Sequence, residues 1–302
     1  MPDHPFTIVG LGEILWDLLP SGKQLGGAPA NFAYHAQALG ASASPVTRVG
    51  NDELGREILD RLSALGEPAD CVQMDDSAPT GTVTVEMLGD GDHRFTIHEG
   101  VAWDNLEADS ANLALAQSAN AVCFGTLAQR SPVSRHAIQT IVAATRSDAL
   151  RIFDINLRQH YYSMEVIEQS LHAANVLKLN HEELPIVAEM LGLDGAPIER
   201  LAQISKRYGI VLAALTRGGA GSLLLAGDRI SDHAGVPVKI VDSIGAGDAF
   251  TAAMTLGWLA GWDLEEINHR ANEVASYVCT QPGATPALPP GITAPFATAT
   301  NR

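Results

Sequence analysis

The 302-residue chain has only three cysteines, Cys71, Cys123 and Cys279, far apart and odd in number. That excludes a disulfide framework, and the paired spacings of a zinc site are missing as well. The three read as small buried apolar residues. No run reaches the ~18 apolar residues of a membrane-spanning helix. The opening residues, MPDHPFTIVGLG, lack the basic segment and long apolar stretch of a secretory leader. The expected compartment is the cytoplasm. Basic residues are scarce: 19 Lys and Arg stand against 35 Asp and Glu, a formal charge of −16. A field of that sign repels nucleic acid and anionic membranes, so neither is an expected partner. Any phosphate handled here then needs local positive potential from helix N-termini, a metal ion or a few placed Arg and Lys residues.

Two motifs are also missing. GLGEIL, residues 10–15, opens like a dinucleotide fingerprint, but Leu15 takes the place of the third glycine. The Gly-Lys-Ser/Thr of a P-loop occurs nowhere. Repeats and low-complexity segments are absent.

What is present is globular composition, 46% hydrophobic and 18% charged. A chain of this length buries roughly three-quarters of its unfolded surface. Residues 6–11, 44–49, 121–124, 151–155, 176–179, 211–216 and 222–225 read as strands. Helical patterns run through 30–39, 53–65, 133–145, 163–174, 182–191, 198–207, 246–260 and 264–279. Strands that alternate with helices imply a parallel sheet covered on both faces, an α/β fold. Between 71 and 98 the texture changes. TGTVTVEML (80–88) and HRFTIH (93–98) alternate polar and apolar residues around the tight-turn dipeptide Asp90-Gly91. With a strand at 14–18, this hairpin predicts a small sheet apart from the main one. The run 238–241 is strand-like, and the Pro-rich 286–295 reads as a surface tail.

Three clusters carry chemistry. The first is DSIGAGDAFTAAM, 242–254. Gly245, Ala246 and Gly247 let a backbone approach a ligand closely, and the helix that follows offers unpaired N–H groups to phosphate oxygens. Asp248 sits in that first turn. On spacing alone it serves equally as a dipole-stabilised terminal carboxylate or as a base for an attacking hydroxyl. The second is GGAPANFAYHAQALG, 26–40, a turn and a capped helix that also fits a sugar-facing backbone, with Asn31 as a donor. The third is GEILWDLLP, 12–20, where Asp17 alternates with apolar residues. It is either a solvated surface carboxylate or an acceptor for two vicinal hydroxyls.

Taken together, in this order and spacing, the clusters resemble the ribokinase/PfkB family of carbohydrate kinases. GGAPAN with VTRVGNDELG (46–55) looks like the family's N-terminal signature and DSIGAGDAF like its C-terminal one. Within the family, GEILWDLLP with GGAPAN is most similar to bacterial fructokinases. The resemblance spans nearly the whole chain. It implies a ribokinase-like three-layer sandwich with a parallel sheet, a single domain over 1–302, and a discontinuous β lid from about 12–25 and 71–103.

The resemblance also implies roles. Asp248 matches the catalytic base, and Gly245, Ala246 and Gly247 the anion hole. Asp17, Gly27 and Asn31 match sugar contacts. FDINLR (153–158) makes Arg158 a candidate for phosphate or sugar, and strand ends are where parallel sheets bind ligands. LKLNHEEL (177–184) offers Asn180 and Glu183, the latter organising Mg²⁺ through water. LTRGGAGS (215–222) places Thr216, Gly218 and Gly221 close to ATP, and Asn272 matches an adenine-side position. Backbone carbonyls of Asp242, Ile244 and Gly283 are a potential K⁺ site, although Ala287 replaces the family's frequent Ser. His98 and Glu99 stand where relatives often present Tyr and Arg. The implied reaction is transfer of the γ-phosphoryl of ATP to a monosaccharide, fructose first, with 2-keto-3-deoxygluconate or ribose as alternatives. A catalytically silent sugar-binding regulator is the non-enzyme alternative. Unpaired edges of the lid imply a homodimer through it.

Overall fold

The computed structural model describes residues 6–20, 22–87 and 93–299. The Asp90-Gly91 turn lies outside them. The chain opens with β1 (Thr7–Leu11), β2 (Leu15–Leu19), β3 (Gly22–Gly26), α1 (Ala28–Ala38), β4 (Ser42–Gly50) and α2 (Glu53–Ala64). Then come β5 (Val72–Asp75), β6 (Thr82–Met87), β7 (His93–Ile97) and α3 (Ser110–Ser118). Regular alternation follows: β8 (Ala121–Phe124), α4 (Pro132–Ala143), β9 (Leu150–Asp154), α5 (Met164–Ala173), β10 (Val176–Asn180), α6 (Glu183–Leu191) and α7 (Pro197–Tyr208). The last elements are β11 (Leu212–Thr216), β12 (Ser222–Ala226), β13 (Arg229–His233), α8 (Ala246–Leu259), α9 (Leu264–Cys279) and α10 (Pro290–Ala299).

Nine strands form one sheet in the order β13-β12-β11-β10-β9-β8-β1-β4-β5. All neighbours are parallel except β11–β12 and β12–β13. Alternate strand residues feed opposite faces, as strand geometry requires. Ile8, Ile152 and Leu212 pack under α1, α8 and α9, whereas Val9, Phe153 and Ala213 pack under α4 to α7. This is the expected three-layer sandwich. The second sheet runs β3-β2-β6-β7, with β2 and β6 parallel and the outer pairs antiparallel.

Three expectations need correction. Residues 286–295 are not a surface tail, because most of them enter α10. Pro290 suits a first helical turn, and Ile292 and Phe296, one turn apart, are buried, with the Phe296 ring centroid 4.9 Å from that of Trp262. Residues 238–241 form no strand: the sheet already ends at β13, and Val241 N–H bonds instead to the Cys279 carbonyl at the end of α9. The segment 71–103 is not all lid, since β5 pairs with β4 on the edge of the large sheet. Strand 222–225 joins the sheet as half of an antiparallel β12–β13 hairpin.

Candidate active site

The site lies beyond the C-terminal ends of β1, β9, β10 and β11, where α8 begins. Gly245 precedes α8 with φ +77°, and a Cβ there would collide with the Ala284 carbonyl oxygen. Only glycine meets both demands. No side chain caps this helix, so its first N–H groups remain available to an anion. Asp248 stands in the first turn, and Asn31 Nδ2 donates to its Oδ2 at 2.8 Å. Residues 217 positions apart thus form one unit. Asn31 was expected to reach the sugar; the structure gives its amide N–H to the candidate base. Gly27 admits this arrangement: its φ is +113°, and a side chain there would strike the Glu13 backbone.

Beneath α8 lies a group that sequence reasoning missed. Lys178 is 6% exposed, and its Nζ sits 3.0 Å from Asp154 Oδ1. Thr251 Oγ1 donates to the other Asp154 oxygen at 3.0 Å. Lys178 Nζ is 3.1 Å from the point where a Gly247 side chain would begin. A fixed positive charge therefore underlies the glycine turn. Burial alone would push this ammonium towards neutrality, but Asp154, Glu183 and Asp248 outweigh it and hold its pKa above the ordinary value. The available signal was a lone Lys inside the buried strand VLKLN.

Three carboxylates share the floor. Burial pushes Asp248 up to about 6, helped by the Asp154 charge and opposed by Lys178, the Asn31 bond and Arg158. Burial also pushes Asp17 up to about 6, with Arg158 opposing. Glu13, which the sequence reading passed over, is 3% exposed and pushed up by burial to about 7. Its Oε2 has no hydrogen-bond partner. Arg158 is exposed; its guanidinium gives one hydrogen bond, to the Leu157 carbonyl at 3.1 Å, and its charge reaches all three carboxylates. The result is a half-dry acceptor surface with one cation beside it, suited to a polyhydroxylated ligand.

The expected nucleotide residues line one side. Asn180 and Thr216 are register partners at the ends of β10 and β11. Asn180 Oδ1 accepts the N–H groups of Glu182 and Glu183 at 2.8 and 2.9 Å, so it caps the start of α6. Glu183 accepts Asn180 N–H and Leu157 N–H, one on each oxygen. Gly218 and Gly221 bound the short turn after Thr216, both with positive φ. Asn272 departs from its expected role. It is 6% exposed, and its Nδ2 is spent on Ser222 Oγ (2.7 Å) and the Asn268 carbonyl (2.8 Å). It secures α9 to β12 and offers no free donor to a base. Asp242 bridges Ile244 N–H and Gly283 N–H, both at 3.0 Å, so the three residues named for K⁺ are gathered. Among the described residues, no three His, Cys, Asp or Glu side chains are placed to enclose a metal ion.

The family model described as pfkB family carbohydrate kinase matches residues 21–290. The fructokinase of Salmonella typhimurium is 30% identical over 298 residues, covering 92% of this chain and 95% of its own. A sugar kinase of Pyrococcus horikoshii, solved in complex with ATP, superimposes with a TM-score of 0.81 at 28% identity, over 92% of this chain and 94% of its own. The fructokinase of Vibrio cholerae, solved with fructose, ADP and calcium ion, gives a TM-score of 0.80 at 25% identity, over 98% and 100%.

Proposed function

The chain belongs to the pfkB family of carbohydrate kinases, and from that premise we propose that it moves the γ-phosphoryl of ATP to a primary hydroxyl of fructose, with Asp248 as the base. As a family member it is a phosphotransferase acting on sugar. The observation that carries the finer reading is the Asn31–Asp248 bond at an uncapped helix start above Lys178. The whole chain then acts as one kinase domain, with the small sheet as its lid.

In this reading Asp17, the Gly27 backbone and Arg158 hold the sugar, and Asn31 fixes the carboxylate of the base. Asp248 takes the proton of the attacking hydroxyl, which leaves the oxygen free to displace ADP in line. The N–H groups of 245–248 and the Lys178 ammonium meet the charge that grows on the γ-phosphoryl. ATP lies along Asn180, Thr216, Gly218 and Gly221. Its base rests on the exposed apolar row Val238, Ile240, Val241 and Ile244 and not on Asn272. Mg²⁺ commonly keeps several waters and binds through one or two carboxylates plus substrate phosphates. The remaining lone pairs of Glu183 fit that habit. When bound, the ion neutralises charge on the β- and γ-phosphates. K⁺ is assigned to the carbonyls around Asp242, Ile244 and Gly283.

Fructose is preferred over 2-keto-3-deoxygluconate because a floor of three carboxylates disfavours an acidic sugar, and over ribose on the identity to fructokinases. A coupled ADP-release assay with fructose, ribose and 2-keto-3-deoxygluconate tests this. A kcat/KM for fructose at least tenfold above the others supports the assignment; ribose or the keto acid in front overturns it. The outer edge of β3 supports a homodimer through the lid. A monomeric mass by light scattering at micromolar concentration would remove that part. Function in the cytoplasm completes the proposal; no helix among the described residues is long and apolar enough to cross a membrane.

A further inference from the structure

Arg158 is carried on a loop fastened at both ends to different bodies. On the core side, Leu157 N–H donates to Glu183 Oε1 at 2.9 Å. The Ile155 carbonyl accepts from Thr126 Oγ1 at 2.9 Å. On the lid side, three side chains reach carbonyls along β7 and just beyond it. Gln159 Nε2 donates to the Phe95 carbonyl at 2.7 Å. Tyr161 Oη lies 3.2 Å from the Ile97 carbonyl and 2.9 Å from Glu99 Oε1. Arg130 Nη2 donates to the His98 carbonyl at 2.6 Å, and its guanidinium packs between the rings of Trp103 (3.9 Å) and Tyr161 (4.8 Å).

The backbone around Arg158 is strained. Asn156 and Gln159, on either side of it, have φ of +47° and +48°, and no other non-glycine residue described has positive φ. Such conformations persist only where the surroundings over-determine them. Here the surroundings are two sets of hydrogen bonds, one to the sheet and one to the lid.

We infer that Gln159 and Tyr161 are positioning residues that tie the placement of the Arg158 cation over the sugar floor to the position of the lid. The idea rests on the kinase reading only for its catalytic consequence. When the lid strands shift, the loop shifts with them, and Arg158 approaches or leaves Glu13 and Asp248. Asp248 also feels Asp154 and Lys178, both held on the core, and the Asn31 bond on α1; Glu13 feels Asp248; Asp17, on β2 of the small sheet, feels Arg158. Arg158 is the cation in this set that the lid can move; Lys178 is fixed on β10.

Carboxyl ¹³C NMR titration of Asp17 and Asp248, without substrate, reads the effect directly. The variants are Tyr161→Phe combined with Gln159→Asn, Arg158→Gln, and all three together. Asparagine tolerates a left-handed backbone but is one methylene too short to reach Phe95. The strap variant is expected to raise both carboxyl pKa values by a few tenths of a unit, as Arg158→Gln does. The triple variant is expected to rise no further than Arg158→Gln alone. Unchanged values in a folded strap variant, or effects that simply add, would overturn the inference. In turnover, the strap variant is expected to lose about tenfold in kcat, with an unchanged KM for ATP and an acid limb displaced upward. The titration needs no sugar, so a wild-type protein inactive on fructose would defeat the substrate assignment and leave this test standing.

Discussion

Replacing Asp248 with asparagine separates a base from a stabilising helix-start carboxylate, because the two roles give opposite results. The wild-type carboxyl is raised from its ordinary 3.8 to about 6 by burial and the Asp154 charge. A folded-state pKa above the unfolded one means that stability is fully present below about pH 4 and is lost as pH rises through 6. Two units correspond to about 3 kcal/mol, and partial exposure to solvent screens this to about 1–2 kcal/mol. Unfolding entropy for 302 residues is on the order of 0.6 kcal/mol per kelvin, so Asp248→Asn should raise Tm at pH 8 by about 2–3 °C. At pH 4 the gain should largely vanish. Asn31 keeps an oxygen acceptor at position 248, so the local geometry survives. The kcat should nevertheless fall ~10²–10⁴-fold, with KM for the sugar changed far less. Calorimetry at pH 4 and 8 and the coupled assay provide the readouts. A variant within tenfold of wild-type kcat would refute the base, and one less stable than wild type at pH 8 would refute the electrostatic account.

Asp17 and Asp248 both sit near 6, so kcat/KM should climb between pH 5 and 7 and level off above; a profile flat down to pH 5 contradicts this. Glu67 is 4% exposed and is pushed by burial alone up to about 8. Its contribution to stability is lost as pH rises from about 4.5 to 8, so Glu67→Gln should raise Tm at pH 8 by several degrees and hardly at all at pH 4.5, measured against wild type in the same buffers. Gly245→Ala should cost ~10²-fold or more in kcat, because φ +77° and the Ala284 carbonyl leave no room for a methyl; near-wild-type turnover would show that the turn is not an anion site. Lys178→Met leaves Asp154 buried without its cation and should destabilise the fold by about 3–5 kcal/mol, read as a lower urea midpoint; an unchanged midpoint would mean that the pair is not structurally important.

Much of this molecule was legible from local pattern. The alternation of apolar strands and amphipathic helices specified a parallel sheet with two covered faces, because each period can bury its apolar side in only one way. The Gly-Ala-Gly-Asp turn announced a helix start open to anions. The Thr-rich alternation of 80–98 announced a separate hairpin. Errors arose where a local pattern competed with a distant partner. The run 238–241 has strand composition but no open edge beside it. Residues 286–295 look like a tail until Trp262 meets Phe296. Asn272 looks available until Ser222 and Asn268 consume its amide.

By itself, the sequence determined the layers, the chemistry of the glycine turn and the identity of the candidate base, all of which depend on neighbours within a few positions. Only the tertiary structure decided what surrounds that base. Asn31 bonds it from 217 residues away, Lys178 charges the glycine turn from below, Glu13 joins the floor, and the strap from Gln159 and Tyr161 reaches the lid. These are contacts among helices, strands and loops that the sheet order brings together, and burial and charge act across space without regard to distance along the chain.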